Sequence, residues 1–334
     1  MSSPLLWPKK LAALAALAWA SFAWCGLGCA SPSSGPTASE DVLRIGGRAG
    51  ESPAMTAADG KLYVAFRGYR PDDLIASTIF DGSAWSPQDI IGPGETSTSP
   101  TLAVLGHAPY IAWKGAAENQ NIWYANLDGD TWTPQRMVPE VLTEAAPALT
   151  AWADRLYLVW RGMDADSRIW WSSFDGTSWA QQEPMPVVGV GTSTGPAAAA
   201  YAGKLYVAWK GAGPDPLIWW SSFDGMSWTP PKSVLGAKTD VSPALAAGDG
   251  KLYLVWHGAM SDSTTPWKSY DGRGGVQDMS IWWSSFDGDG FELPRLFRKE
   301  ATIRPPAVAV LDHELLVAWR VKTSRIINVA RVRR

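Results

Sequence analysis

Apolar and polar side chains alternate over short stretches that recur through most of the chain. The stretch KLYVAWKG (204–211) places alternate residues on opposite sides of an extended strand, with Leu205, Val207 and Trp209 on one side and Tyr206 and Ala208 on the other. Both sides are mainly apolar, which is typical of a strand that is covered by packing on both faces. No stretch after residue 40 shows sustained helical periodicity, so the pattern predicts an all-β body.

The alternating strand belongs to a longer unit that predicts four strands. A small apolar strand such as SPALAA (242–247) comes first, and the alternating strand follows it. The third strand is IWWSSF, and the stretch IWWSSFDGTSW (169–179) recurs in close form from Ile218 and from Ile281. Its Asp-Gly pair is a strong signal for a tight turn, after which the fourth strand begins.

The units recur six times, as shown by a proline followed 13 positions later by an aromatic residue. The aromatic residues are 47, 47, 49, 47 and 63 positions apart: Phe66, Trp113, Trp160, Trp209, Trp256 and Trp319. Four-stranded units of about 40–50 residues are typical of propeller blades. We therefore predict one six-bladed β-propeller over residues 41–334. The sixth unit lacks its fourth strand, which DVLRIGG (41–47) is expected to supply, closing the ring.

The first 40 residues have a different composition. Residues 1–29 contain Lys9 and Lys10 followed by an uncharged apolar run, which predicts a secretory signal peptide; a retained membrane anchor is the alternative. GLGC (26–29) resembles a bacterial lipoprotein cleavage box, in which Cys29 would be lipidated; simple cleavage after Ala30 stays open. Residues 30–40 are small and polar and predict a flexible linker. The protein is therefore expected outside the cytoplasm, either secreted or lipid-anchored on the bacterial envelope.

Composition excludes several kinds of chemistry. The net charge of -3 carries no signature of nucleic-acid binding. Both cysteines lie in the first 29 residues, so the body has neither a cysteine nucleophile nor a thiolate metal site. The three histidines fall in different units without ligand spacing, so we expect neither a metal nor another cofactor. The membrane is expected to be reached only through an N-terminal lipid.

Two repeated positions are candidates for ligand contact. A base ends each second strand: Arg67, Lys114, Arg161, Lys210, His257 and Arg320. A tryptophan near the start of the third strand lies close to it in four units: Trp123, Trp170, Trp219 and Trp282. The bases either stack on a neighbouring tryptophan for structural reasons or donate hydrogen bonds to sugar hydroxyls or carboxylates.

The loops next to these residues are predicted to form the working face. They join the second and third strands and share a face with the links between units, whereas the Asp-Gly turns lie on the other face. A glycine follows the base in the first five units, and we expect it to adopt positive φ. In the fifth unit this loop carries an insertion around 263–279, which would be a lid, a specificity loop or a tolerated surface extension.

The combined motif resembles a known group of proteins. P-A-x-A, K-L-Y-V-x-W-K/R-G and I-W-W-S-S-F-D-G-x-x-W together are similar to the tandem repeats of propeller lectins, both the Aleuria fucose-binding type and the Photorhabdus type. The resemblance covers residues 41–334 and implies sugar pockets between blades, lined by aromatic residues, an arginine and polar groups. We expect no acidic residue to recur at a matched loop position. SFDGTSW (173–179) also resembles the Asp-box of sialidases, which is structural in that family.

Three functions follow from these patterns. The first is a lectin-like propeller that binds glycans or glycoconjugates at several sites, and the others are a sialidase-like glycoside hydrolase and a scaffold for an envelope protein. Catalysis needs residues that break the repeat, and several acids do so: Glu95, Glu118, Glu140, Glu144, Asp240 and Glu300. The sequence nominates no pair among them, so no catalytic residue is assigned.

Overall fold

The computed structural model describes residues 42–69, 73–259, 280–299 and 302–333. Across these ranges the chain forms 25 β-strands, arranged as six antiparallel sheets. The innermost strand of each sheet contacts those of both neighbouring sheets, so the sheets form a ring of six blades. The predicted signal peptide (1–29), the predicted linker (30–40) and the insertion at 263–279 lie outside the described residues. No helix among the described residues is long and apolar enough to cross a membrane.

Three blades occupy the first half of the ring. Blade 1 contains β2 (Ala54–Ala58), β3 (Lys61–Arg67), β4 (Leu74–Phe80) and β5 (Asp89–Glu95). Blade 2 contains β6 (Thr101–Leu105), β7 (Ala108–Lys114), β8 (Asn121–Asp128), the short β9 (Thr131–Trp132) and β10 (Arg136–Leu142). Blade 3 contains β11 (Ala148–Trp152), β12 (Arg155–Arg161), β13 (Ile169–Phe174) and β14 (Glu183–Pro184).

The other three blades complete the ring. Blade 4 contains β15 (Ala197–Tyr201), β16 (Lys204–Lys210), β17 (Leu217–Phe223) and β18 (Lys232–Lys238). Blade 5 contains β19 (Ala244–Gly248), β20 (Lys251–His257), β21 (Ile281–Ser285) and β22 (Arg295–Arg298). Blade 6 contains β23 (Ala307–Leu311), β24 (Glu314–Arg320), β25 (Ile327–Arg331) and, from the start of the chain, β1 (Leu43–Ile45).

The ring is closed by the N-terminal strand, as the sequence predicts. Strand β1 pairs antiparallel with β25, with Leu43 opposite Val329 and Ile45 opposite Ile327. Ile45 is buried and packs in the core shared by blades 6 and 1. Blade 6 is therefore built from both ends of the described chain, and β1 pairs the edge of β25 that would otherwise be open.

Both faces of each blade are buried against a neighbour. In blade 3, Trp160 packs toward blade 2 against Ile122 and Val138, whereas Trp171 packs toward blade 4. The rings of Trp171 and Trp228 meet edge-to-face with centroids 6.0 Å apart. Large aromatic side chains thus fill the widening gap between blades, which accounts for much of the high tryptophan content.

Each Asp-Gly turn is held by hydrogen bonds from its own backbone N–H groups to its aspartate side chain. One carboxylate oxygen of Asp175 accepts the backbone N–H groups of Thr177 and Ser178, both at 2.8 Å, while Gly176 adopts a φ of 96°. The corresponding turns that begin at Asp81, Asp224 and Asp287 have the same pair of bonds. These bonds lower the pKa of each of the four carboxyl groups. The second half of the IWWSSFDGTSW motif is therefore a structural turn.

A narrow channel runs along the axis of the ring. Small residues of the six innermost strands line it, and the repeated prolines surround a cavity of about 130 Å³ where those strands begin. A second cavity of about 240 Å³ lies deeper between the same strands. The proline that defines the sequence repeat therefore lies on the channel, where the chain enters each blade.

Closure by β1 yields a testable prediction. A chain that starts at residue 48 lacks β1, exposes the edge of β25 and uncovers the core around Val329. We expect a clearly lower thermal midpoint and concentration-dependent association, because an open strand edge pairs with other chains. The control chain starts at residue 42 and keeps β1. Circular dichroism melts and gel filtration check this, and equal melting of the two chains would disprove closure by β1.

Candidate ligand site at the blade junctions

The loops and the links between blades meet on one face through a set of buried threonines. Thr143, in the link from blade 2 to blade 3, donates its N–H to the carbonyl of Gln120 at 2.9 Å. Its hydroxyl donates to the carbonyl of Arg161 at 2.8 Å. A fully buried threonine recurs in five links at blade spacing, a signal that was available in the sequence: Thr96, Thr143, Thr192, Thr239 and Thr302. The loops between second and third strands therefore share a face with the links, as predicted.

The two lysines among the predicted bases donate hydrogen bonds to the loop that follows them. Lys210 Nζ lies 2.8 Å from Ser193 Oγ and 3.0–3.1 Å from the carbonyls of Gly211, Gly213 and Asp215. Lys114 Nζ likewise contacts Ser97 Oγ at 2.9 Å and the carbonyls of Gly115 and Asn119. An ammonium group has three hydrogens, so both lysines are saturated by protein acceptors. Burial lowers the pKa of both. Within the part of the chain that the structure describes, the stacked cations include neither lysine.

The other predicted bases also end the second strands of their blades, but their hydrogen-bond partners differ. Arg161 donates to Glu144 Oε2 at 3.0 Å and to the carbonyls of Thr192 and Asp164. Arg67 binds Asp73 in its own loop, and Arg320 Nε donates to the carbonyl of Ala49 at 3.0 Å. His257 is completely buried. The bases for which bonds are described thus join a blade to its loop or to a link, and ligand contact by any of them stays a prediction.

The glycine after the base has a different role from the one expected. None of the five has positive φ. A Cβ added at Gly162 would lie 2.6 Å from Asp166 Cγ, and one added at Gly211 would collide with the Asp215 carboxylate. In blades 3 and 4 the glycine is therefore needed because a loop carboxylate packs directly over its Cα, and in blade 2 the Asn119 side chain packs over Gly115 in the same way.

These loop carboxylates also correct the expectation that no acid recurs at a matched position. Asp166 and Asp215 each lie three residues before the isoleucine of the third strand, and Asn119 lies at the same place in blade 2. Trp170 Nε1 donates to Asp166 Oδ2 at 2.9 Å, and Trp219 Nε1 donates to Asp215 Oδ2 at 2.8 Å. The four-residue spacing between acid and tryptophan was the signal that sequence reasoning missed.

The junction of blades 2 and 3 brings several ligand-binding chemistries together. Trp170 is partly buried and packs toward blade 2. The Arg168 guanidinium lies 4.7 Å from the ring centroid and forms two hydrogen bonds, of 2.8 and 3.0 Å, with Asp166. The bonds from Arg168, with a further bond from Trp170, lower the pKa of Asp166 to about 2. The indole, carboxylate and guanidinium are thus held as one unit.

The remaining junctions are variations on this arrangement. At Trp219 the place of Arg168 is taken by Leu217, so that junction is less charged. Trp123 and Trp282 are also partly buried and pack toward blades 1 and 4. Blades 1 and 6 have Ala76 and Asn328 in place of the tryptophan. Among the described residues, His, Cys, Asp and Glu side chains form no group of three that would hold a metal ion.

Comparisons with known proteins extend these observations. No family model matches the chain, and no curated protein matches its sequence. AofleA from Arthrobotrys oligospora is similar in structure, with a TM-score of 0.62 and 11% identity over 87% of this chain and 86% of that one. The chain has the six-bladed propeller fold.

Two solved lectin complexes share this fold. The SapL1 lectin in complex with alpha methyl fucoside has a TM-score of 0.58 and 16% identity over 81% of this chain and 88% of that one. A mutant of Aleuria aurantia lectin in complex with Fucalpha1-6GlcNAc has a TM-score of 0.55 and 11% identity over 84% and 95%. These similarities confirm the predicted propeller.

The structural role of the lysines is tested by Lys210→Met, which keeps the apolar stem and removes the ammonium group. Three loop carbonyls and Ser193 then lose their donor, so we expect the free energy of unfolding to fall by about 1–3 kcal/mol. Chemical denaturation measures this. The control is Lys204→Met, at the exposed start of β16. Equal stability of the two variants would contradict the role assigned to Lys210.

The Asp166 unit predicts a pH dependence. Its folded pKa of about 2 is below the ordinary 3.8, so ionised Asp166 stabilises the fold above about pH 4, and this contribution is lost as the pH falls toward 2. We expect Asp166→Asn to melt below the parent at pH 7 and close to it near pH 2. Melting curves across this range check the prediction, with the exposed Asp130→Asn as the control. A difference that does not change with pH would rule out the charged interaction as its source.

Proposed function

We propose that the protein is a carbohydrate-binding propeller that binds glycans at several blade junctions. The observation that carries this proposal is the pair of adjacent junctions at which an indole is fixed by a loop carboxylate, at Trp170 and at Trp219. Each indole and its carboxylate lie on the loop face of a rigid ring. The same binding chemistry is therefore present at two neighbouring junctions.

The chemistry of these junctions suits a sugar. An indole presents a flat apolar face to the C–H groups of a pyranose ring, while its N–H is already occupied by the carboxylate. A carboxylate has about four acceptor positions. Asp215 accepts two hydrogen bonds and so keeps acceptor capacity for sugar hydroxyl groups. Asp166 already accepts four, three from Arg168 and one from Trp170, so its role at that junction is to hold the indole and the guanidinium in place. At Trp170 the guanidinium of Arg168 adds donors, whereas Leu217 adds an apolar contact at Trp219. We therefore expect the two junctions to differ in affinity for the same sugar.

The structural neighbours indicate which sugar to test first. SapL1 and Aleuria aurantia lectin were both solved with fucosides, and both share the six-bladed fold with this chain. Identity to each is low, so the fucoside is a starting probe for this chain. Several weak sites on one rigid body would bind a glycan-covered surface through avidity. Secretion or lipid attachment at Cys29 would place these sites where such surfaces occur.

The decisive experiment combines a glycan array with titration calorimetry. We expect binding to a subset of glycans, with methyl α-L-fucoside as the first monosaccharide in calorimetry. The double variant Trp170→Ala, Trp219→Ala should lower apparent affinity for a multivalent surface at least about tenfold, because avidity depends on the number of sites. Circular dichroism melts verify that the double variant still folds.

The matched control is Met226→Ala, because Met226 is 93% exposed in an Asp-Gly turn on the opposite face. This variant should bind as the parent does. A blank array across neutral and anionic glycans would overturn the proposal. So would unchanged binding by the folded double variant.

A further inference from the structure

The junction between blades 6 and 1 differs in composition from the tryptophan junctions. Its third-strand position holds Ala76, which packs in the core shared by blades 6 and 1, in place of tryptophan. Five guanidinium groups gather there, and we call them the arginine junction: Arg48, Arg67, Arg304, Arg320 and Arg325. Among the described residues, the carboxylates paired with them are Glu51 and Asp73. Positive charge is therefore in excess at this place in a chain whose net charge is negative.

Two of the arginines share the two carboxylates. Arg67 binds Asp73 through Nε and Nη2, and its Nη1 lies 3.5 Å from Glu51. Arg304 Nη1 lies 3.1 Å from the other oxygen of Glu51. Glu51 therefore bridges two arginines. Burial nevertheless raises its pKa, even though the nearby guanidinium groups oppose the shift.

Arg320 is left with unused donors. Its residue is only 6% exposed, and its one hydrogen bond among the described residues runs from Nε to the carbonyl of Ala49. Its two terminal nitrogens have no hydrogen-bond acceptor among the described residues. The neighbouring Arg304 has an Nε that is buried and also lacks an acceptor there. Burial lowers the pKa of Arg320, with repulsion from Arg304 and Arg325 adding to the shift. Water can reach the terminal nitrogens of Arg320, and a bound anion would replace that water with charged hydrogen bonds to a guanidinium that is otherwise largely enclosed.

The arginine junction is reachable from solvent. The side chain of Arg304 is 43% exposed, and Tyr69 is 38% exposed. The guanidinium carbon of Arg325 lies 3.6 Å from the centre of the Tyr69 ring, and that of Arg48 lies 5.2 Å from it. The tyrosine ring thus positions two further cations at the surface, and of these Arg325 lies close enough to Arg320 to affect its charge.

We propose that the arginine junction binds an oxyanion, the carboxylate or sulfate group of a small ligand. Planar guanidinium forks match such groups with paired hydrogen bonds. Arg320 and Arg304 supply the unused inner donors, and Arg325 supplies positive charge at the entrance. The anion would come either from a free salt or from an acidic sugar. Because β1 and the Ala49 segment close the ring here, a bound anion would also stabilise closure.

The test compares anions and matched sugars by thermal melting. Sodium sulfate should raise the midpoint above that in sodium chloride at equal ionic strength. Methyl β-D-glucuronide is compared with methyl β-D-glucoside, because the two differ in the carboxylate. Sulfate also stabilises proteins in general, so only a sulfate response that Arg304→Gln reduces counts as binding. Such a response without one to glucuronide supports a site for a free anion, and a response to glucuronide supports an acidic sugar. No difference between sulfate and chloride and none between the two sugars would overturn the proposal.

Variants locate the effect. Arg304→Gln, at a partly exposed residue, should weaken anion binding at least about tenfold, as expected for losing a charged hydrogen bond. Arg320→Lys keeps the charge and removes the fork, and it should also weaken binding. The matched control is Arg295→Gln, whose side chain is 53% exposed on the outer strand of blade 5. Equal anion responses in Arg304→Gln and the control would disprove the site, even if Arg320→Lys does not fold.

The proposed anion site can be tested independently of the tryptophan junctions. The double variant Trp170→Ala, Trp219→Ala should keep the response to sulfate, because it leaves every arginine of the arginine junction in place. A loss of that response in the folded double variant would place the anion near the tryptophans and overturn the assignment. Anion binding would then be a property of the tryptophan junctions.

Discussion

Every blade of this ring must be apolar on both faces, because each is covered by a neighbour on either side. Large aromatic residues meet that requirement where the gap between blades is wide, as with Trp171 against Trp228. Polar groups are consequently concentrated at the two ends of the blades. At one end they form the Asp-Gly turns, and at the other they form the network in which link threonines and buried bases hold the loops.

That second network sets the geometry of the candidate site. Lys210 gathers the carbonyls of its loop, and this brings Asp215 over Gly211 and within hydrogen-bonding distance of Trp219. Lys210, first considered as a ligand donor, thus supports Asp215 and Trp219 of the proposed site. The proposed binding chemistry rests on a rigid, buried layer beneath it, which is a common arrangement for function carried on loops.

The ring also combines repetition with one exception. The junctions at Trp170 and Trp219 each join an indole to a loop carboxylate, whereas the arginine junction, with its excess of positive charge, occurs where the N-terminal strand joins blade 6. The segment before blade 1 differs there from the other links, with Ala49 in the place of the recurring threonine. Closure from the N-terminus therefore gives the molecule a place where residues from both ends of the fold meet, and where repetition imposes no constraint on their charge.

The sequence by itself determined the number of blades, the order of their strands, the closing role of β1 and the separation of turns from loops. It could do so because these features depend on alternation and spacing, which are local properties of a chain. The tertiary structure decided what each polar residue does. Lys210 turned inward, the glycine after it made room for a carboxylate, and Arg320 and Arg304 reached Ala49 and Glu51 across the ring closure. Such outcomes depend on which groups are buried together, and burial is known only when the blades are packed.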